Sequence, residues 1–386
     1  MFKNDAQSIS IEKIRDVFPG AELSLPSKQN ITDLQQMRIA YFTNSLNSFV
    51  NLDLHLLGQF ASVKVHAAGI KSKIQLPIKL LSQLFFIVKN IYRSDLFVCQ
   101  FAGYTSLLPT LCANLVGKKC VIVVGGTDTA KFPALSYGNF TKSIYGLITK
   151  WSYQLTSAVI APHSHLIESD YEYCEFGKPK QGIKVHYPGF NKPSFIIPNV
   201  VHTSFWNPGS ESHREGILTV ALNIESERIR ILKGIDLLIE LGSLHPHLKI
   251  TVTGYQSFPD TLALPPNVQF LPVSTREELK KLYQEHRFYA QLSVSEGWGV
   301  ALCEAMSCGC VPIVSKVGAM PSIVSDSGYV LENRSIQDLD RLFQSIKEED
   351  IISKSRKANS IITSNYDASS RSKMIKEAIL SIIEES

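Results

Sequence analysis

The sequence predicts an α/β protein made of two units in series, each a mostly parallel sheet covered by helices on both faces. Three observations carry that expectation. At 386 residues the chain exceeds what one hydrophobic core usually supports, so two domains of roughly 150 to 200 residues are expected. Short apolar runs alternate with helix-like stretches, as they do where parallel strands are joined by crossover helices. The polar, glycine-flanked segment 209–216, GSESHREG, interrupts that alternation as an interdomain linker would.

Residues 1–35 are weakly patterned and form an amino-terminal extension, broken at Pro19-Gly20 and Pro26. The first unit, 36–208, opens with the strand-like run Met37 to Phe42. Leu96 to Cys99 and Cys120 to Val124 read as further strands, and Thr105 to Leu115 as a helix despite Pro109. Gly125-Gly126 turns the chain after CVIVV and leads to Thr127, Asp128 and Thr129. Ligands bind beyond the carboxyl ends of strands in open α/β sheets, so Asp128 is a candidate for contact with substrate; the alternative is that it caps the next helix. A helix over Tyr145 to Leu155 and a strand over Ala158 to Ala161 follow, ending at Pro162-His163-Ser164. Val185 to Tyr187 and FIIPNVVHTSFWNP, Phe195 to Pro208, read as the last strand and exit of this unit.

The second unit, 217–365, starts with the strand Ile217 to Leu222. Ile235 to Leu241 reads as a helix that Gly242 should end. Lys249 to Thr253 reads as a strand ending at Gly254, Val268 to Phe270 as another, Glu277 to Gln284 as a helix, and Phe288 to Val294 as a strand. The densest signal is SVSEGWGVALCEAMSCGCVPIVS, Ser293 to Ser315. It reads as a strand end, the loop Glu296-Gly297-Trp298-Gly299, a helix over Val300 to Ser307, a stop at Gly309 and a strand over Val311 to Ser315. Residues 336–386 are largely helical, and 366–386 form a C-terminal helix that could pack back on the first domain.

Composition narrows the function. With 44% apolar and 19% charged residues the chain should fold, and a net charge of +4 gives no general field for nucleic acid. Lys64, Lys71, Lys73, Lys79, Lys89 and Arg93 lie between Asp53 and Asp95 with no acidic residue among them. Beside LLSQLFFIV, Leu80 to Val88, this basic stretch suits shallow binding to an anionic membrane surface; the alternative is that the apolar residues pack on the sheet. The seven cysteines have neither zinc-ligand spacing nor a paired framework, so reduced thiols and no metal site are expected. The first residues lack the apolar core of a signal peptide, and no run reaches the roughly 20 residues of a spanning helix. A cytoplasmic protein, peripheral on the inner face of the cell membrane, is the resulting expectation.

Gly297 and Gly299 let the backbone turn tightly and offer N–H groups to an anion at a helix start, the geometry a pyrophosphate requires. Glu296 and Glu304 can border one ligand if the first precedes the helix and the second lies within it. Alternatively, Glu296 favours a helix amino terminus and Glu304 belongs to a polar face.

Ser295 to Met306, followed by Gly309 and Pro312, resembles the E-x7-E segment of the family 4 retaining glycosyltransferases. These have the GT-B fold, two Rossmann-like domains facing each other across a cleft. Lys233-Gly234, within ILKGIDLLIE, resembles the Lys-Gly that precedes the first helix of the family's donor domain; the family's arginine, about five residues earlier, would be Arg228, with Arg230 as competitor. Val317-Gly318-Ala319-Met320-Pro321 resembles a donor loop that commonly reads G-G-x-P-E, with Ala319 in place of the second glycine and Ser322 in place of the acid.

The resemblance implies that Glu296 lies by the transferred sugar, that Glu304 binds the donor ribose, and that Lys233 and Arg228 neutralise the diphosphate. Gly297, Trp298, Gly299, Gly318 and Ala319 would supply chiefly backbone contacts. It further implies a UDP- or GDP-linked sugar as donor, no required cofactor or metal, and a glycan or lipid-linked glycan as acceptor. The alternative is a catalytically weak nucleotide-sugar-binding or scaffold protein of the same fold. His163 and His165 read as satisfied hydrogen-bonding histidines, and the oligomeric state is left open.

Overall fold

The computed structural model describes residues 37–70, 72–209, 213–255, 263–272 and 275–384. The extension 1–35, Lys71 and residues 210–212 of the linker segment lie outside the described residues. Strand and helix alternate from β1 (Arg38–Thr43) through α1 (Ser48–Gly58), β2 (Ser62–Ala67), α2 (Leu76–Asn90), β3 (Leu96–Gln100), α3 (Tyr104–Leu115), β4 (Lys119–Val123) and α4 (Ser143–Leu155) to β5 (Ala158–Ala161). A small hairpin, β6 (Ser169–Asp170) and β7 (Lys180–Gln181), and the one-turn helix α5 (Ile183–His186) precede β8 (Ser194–Ile196).

The second half runs β9 (Glu215–Val220), α6 (Glu227–Lys233), α7 (Ile235–Leu244), β10 (Ile250–Tyr255), β11 (Val268–Pro272), α8 (Arg276–Glu285) and β12 (His286–Gln291). It continues through α9 (Val300–Ser307), β13 (Val311–Ser315), α10 (Met320–Val324), β14 (Tyr329–Leu331), α11 (Ile336–Gln344), α12 (Glu348–Asn365) and α13 (Ala368–Glu384). The two main sheets have the orders β2-β1-β3-β4-β5-β8 and β11-β10-β9-β12-β13-β14, with all neighbours parallel. Two Rossmann-like domains of a GT-B fold result.

The strands read as unbroken apolar runs because both faces of each sheet are buried. Along β1, Ile39 and Tyr41 point to one face, where α1 and α13 supply Val50, Leu54, Ile375 and Ile379. Ala40 and Phe42 point to the other, where α2, α3 and α4 supply Ile87, Ala113 and Tyr153. The final helix therefore packs on the first sheet, not the second. Arg371 of α13 fixes it there, donating to Asp53 Oδ1 and Oδ2 at 2.8 and 3.0 Å and to the carbonyls of Ile197 and Pro198 at 2.8 and 2.6 Å.

Three local expectations differ from the structure. Gly242 does not end α7 but lies inside it, where a β-carbon would meet Val268 Cγ2 at 2.4 Å; the glycine serves helix-to-sheet contact rather than a left-handed stop. Gly254 does not end β10 but forms an irregularity in its pairing with β11, between Thr253 and Tyr255. Val185 to Tyr187 is not a strand: Ile183–His186 is one helical turn after Gly182, with Ile183 buried against the first sheet.

Candidate active site

In the second sheet the crossover order reverses between β9 and β12, the switch point where open α/β sheets leave a crevice for ligand. α6 and Lys233 follow β9, while the segment leading to Glu296 follows β12. The Val294 N–H donates to the Leu232 carbonyl at 2.8 Å, which aligns the two segments. Lys233 Nζ then reaches Glu296 Oε2 at 3.2 Å. The same oxygen accepts from Gln291 Nε2 at 2.8 Å, and Oε1 lies 3.3 Å from the Gly297 N–H. The Glu296 carboxylate holds the Lys233 ammonium above the usual lysine range, with burial opposing it.

The first domain closes directly on this pair. A β-carbon on Gly126 would sit 3.0 Å from Gly297 N, and one on Gly297 would sit 2.9 Å from Gly126 N, so only glycine lets these backbones approach. Gly318, at φ +61°, lies where a β-carbon would meet the Glu296 carbonyl at 2.5 Å. His165 Nε2 stands 3.2 Å from that carbonyl, and Tyr171 Oη donates to the Val294 carbonyl at 2.9 Å. Burial pushes His165 down to about 3, with His163 beside it adding to the effect, so the ring is neutral at physiological pH. With Nε2–H donating to the carbonyl, His165 Nδ1 is unprotonated; it stands 3.0 Å from His163 Nδ1, which accepts from the His165 backbone N–H at 3.3 Å. A cavity of about 400 Å³ opens beside these contacts, its wall including Thr129, His165, Gln181, Glu296, Lys316 and Gly318.

Residues 219–364 match the family model for glycosyl transferases group 1. Structures of similar architecture include a sucrose-phosphate synthase from Thermosynechococcus elongatus, with TM-score 0.69, 12% identity, 91% of this chain and 100% of that chain covered. Another is the Anabaena protein HepE in complex with UDP-glucose, with TM-score 0.64, 15% identity, and coverage of 89% and 100%. The chain thus has the GT-B fold, and its second domain carries the match to the glycosyl transferases group 1 model. Among curated relatives, a phosphatidylinositol N-acetylglucosaminyltransferase component from Arabidopsis thaliana is 25% identical over 161 residues, 39% of this chain and 35% of that protein. The Mycolicibacterium smegmatis D-inositol 3-phosphate glycosyltransferase is 31% identical over 125 residues, 29% of each chain. The match thus spans about a third of these relatives' length.

In this GT-B protein the residues singled out from sequence fall into separate places. Lys233, Glu296, Gly297 and Gly318 come together as described. Ala319, fully buried at φ −81°, begins α10 in a conformation open to any residue, so the missing second glycine costs no strain. Gly299 precedes α9 at φ +101°, and the Trp298 side chain is buried in the second domain's core against Tyr366.

Asp128 is not presented to acceptor. It is 2% exposed and accepts from the Ala102 N–H at 2.9 Å, the Gly125 N–H at 3.0 Å and Tyr153 Oη at 3.0 Å. Burial pushes its carboxyl up to about 6, against those hydrogen bonds. Asp128 instead shapes the Gly125-Gly126 turn that meets Gly297. Arg228 donates across the domain boundary to the Leu135 carbonyl at 2.9 Å, and Arg230 to the carbonyls of Ile224 and Glu225, so neither is aimed at the Lys233–Glu296 pair. Gln291, Tyr171 and Gly126 were missed; for Gln291 the available signal was a polar residue near the carboxyl end of an apolar strand. Among the described residues, no group of three His, Cys, Asp or Glu side chains is placed to hold a metal ion.

Glu304 Oε2 accepts from Tyr283 Oη at 3.4 Å. Burial pushes its carboxyl up to about 7, with Arg276 opposing. A carboxyl raised in the folded state keeps its proton there while the unfolded chain ionises. Stability relative to Glu304→Gln should therefore fall as pH rises from about 4.5 to 7 and level off above it, by roughly 3 kcal/mol in all. Urea unfolding of both proteins from pH 5 to 8 measures this; a pH-independent difference would refute the buried, protonated carboxyl.

Proposed function

We propose that the protein is a retaining glycosyltransferase of family 4 type, moving a hexose or related sugar from a UDP- or GDP-linked donor to a glycan or lipid-linked glycan in cell-surface polysaccharide or glycoconjugate synthesis. The observation that carries this reading is the Lys233–Glu296 pair at the switch point, with the Gly297 and Gly318 loops beside it. A leaving nucleoside diphosphate gains negative charge as the glycosidic bond breaks, and a fixed ammonium and loop N–H groups stabilise that charge. On this reading Lys233 faces the diphosphate, and the Glu296 carboxylate supports the sugar's hydroxyls and its oxocarbenium-like centre. The acceptor oxygen attacks from the face the diphosphate leaves, so configuration is retained. Domain closure through Gly126, His165 and Tyr171 excludes water from the reacting centre. Glu304 contacts the donor ribose.

The test is a panel of UDP- and GDP-sugars incubated with candidate acceptors and followed by proton NMR. Inositol phosphate and phosphatidylinositol join the panel because the relatives' names carry those groups. Transfer to an α-linked product from an α-linked donor is expected. Inversion would overturn the retaining mechanism, and calorimetric donor binding without any turnover would favour the binding-protein alternative.

A further inference from the structure

The helix layer α2, α3 and α4 covers one face of the first sheet, and its outer surface is built the wrong way round for contact with water. In α2 the polar Gln83 and Asn90 are buried beside Ile87. The outward stripe is Ile74, Ile78, Leu81, Phe85, Val88 and Tyr92, a 4-3-4-3-4 spacing along one helical side. Phe85 is 68% exposed and Val88 66%. The adjoining helices extend the apolar surface. Gln83 Nε2 donates to the Thr105 carbonyl at 2.8 Å, tying α2 to α3, and Tyr104 meets Tyr145 edge-on at 4.2 Å, tying α3 to α4. α3 exposes Leu115, and α4 exposes Ile144, Leu147 and Trp151. Apolar surface of this extent marks an interaction site.

The charge pattern identifies the partner. Between Asp53 and Glu168 the chain holds eleven lysines and arginines but only two carboxylates, Asp95 and Asp128. Asp95 is paired with Arg38 at 2.7 Å and Asp128 is buried, so α2, α3 and α4 present no acid at all. Lys89, Arg93, Lys142 and Lys150 are exposed around the apolar residues. A second copy meeting this face through a two-fold axis would set cations against cations. Among the described residues no helix is long and apolar enough to cross a membrane.

We propose that α2, α3 and α4 together form a docking face for an anionic lipid bilayer, with Trp151 of α4 seated at the headgroup boundary beside the α2 stripe. Because the strands are parallel, α3 and α4 begin at the same end of the sheet as the Gly125-Gly126 turn. Ile144 and Leu147, in the first turns of α4, thus carry the face toward the cleft mouth. In this arrangement a lipid-linked acceptor reaches the site from the bilayer; that consequence alone rests on the glycosyl-transfer reading.

Trp151 gives the test its own signal. The chain has three tryptophans, of which Trp206 and Trp298 are 2% and 4% exposed while Trp151 is 46% exposed. The full chain is mixed with phosphatidylcholine vesicles or with vesicles containing phosphatidylglycerol, at low and physiological salt, some carrying bromine-labelled acyl chains. Expected are co-sedimentation with the anionic vesicles, weakened by salt, and quenching of tryptophan emission by the bromolipid. Trp151→Phe should lose the quenching while still sedimenting, and Lys79→Gln, Lys89→Gln and Arg93→Gln combined should weaken partition roughly a hundredfold. Protein left in the supernatant with both vesicle types, sedimentation without quenching, or a dimer that shields Trp151 from the vesicles each overturns the proposal. Calorimetric UDP binding without vesicles, run on the same samples, reports the donor site separately.

Discussion

Replacing Glu296 with glutamine is expected to lower kcat/KM by roughly 10²–10³-fold while leaving the thermal transition nearly unchanged. The amide keeps the size of the carboxylate and one acceptor oxygen. It removes the charge that pairs with Lys233 and turns an N–H₂ group toward either Gln291 Nε2 or the Gly297 N–H, both of which donate. Lys233→Ala should reduce turnover by a similar factor and, unlike Glu296→Gln, should also weaken UDP binding, because the ammonium acts on the diphosphate in ground and transition states alike. Steady-state kinetics with the donor found active in the panel, together with calorimetry, separates the two effects. Near-normal kcat/KM in both variants would refute the assignment of this pair as the reacting centre.

Asp53→Ala is expected to destabilise the first domain by about 3–5 kcal/mol. Arg371 is 2% exposed, and without Asp53 its guanidinium would stay buried with only the Ile197 and Pro198 carbonyls as partners. Removing both charges with Asp53→Leu and Arg371→Met should cost less than the single change, since neither charge is then stranded. Hydrogen exchange gives the more specific readout: protection across 368–384 should fall before that of β9 to β14. Uniform loss of protection over both domains would show that the clasp does not act locally.

The parts of the fold legible in sequence were those where local pattern and tertiary demand coincide. α9 and β13 fall on the predicted residues because Gly299 and Gly309 bracket an apolar stretch whose burial is nearly complete. Gly242 misled because a glycine gives the same local signal whether it supplies a left-handed turn or a smooth face for Val268. At the site, Lys233 and Glu296 could be found because each sits in a recognisable segment. The partners that close over them could not: His165 meets Glu296 across 131 positions, and Tyr171 meets Val294 across 123. Asp128 shows the converse limit, since a loop carboxylate near a ligand crevice and one that folds the loop look alike until its two oxygens are traced. In α2 the apolar residues were visible, but their outward direction follows only from which side the sheet claims.

The return of α13 to the first sheet has a consequence for the order in which the molecule is made. Ile375, Ala378, Ile379 and Ile382 complete a core whose other contributors include Ile39, Val50 and Val121, and the Arg371 clasp joins positions 318 apart in sequence. On a ribosome, every strand of both sheets is synthesised before residues 368–384 exist. Throughout that time one face of the first sheet lacks part of its cover, leaving apolar surface open to chaperones or to other nascent chains. Of the two domains, the one made first is thus the last to be sealed, and a lesion in α13 should be felt as misfolding of β1 to β8.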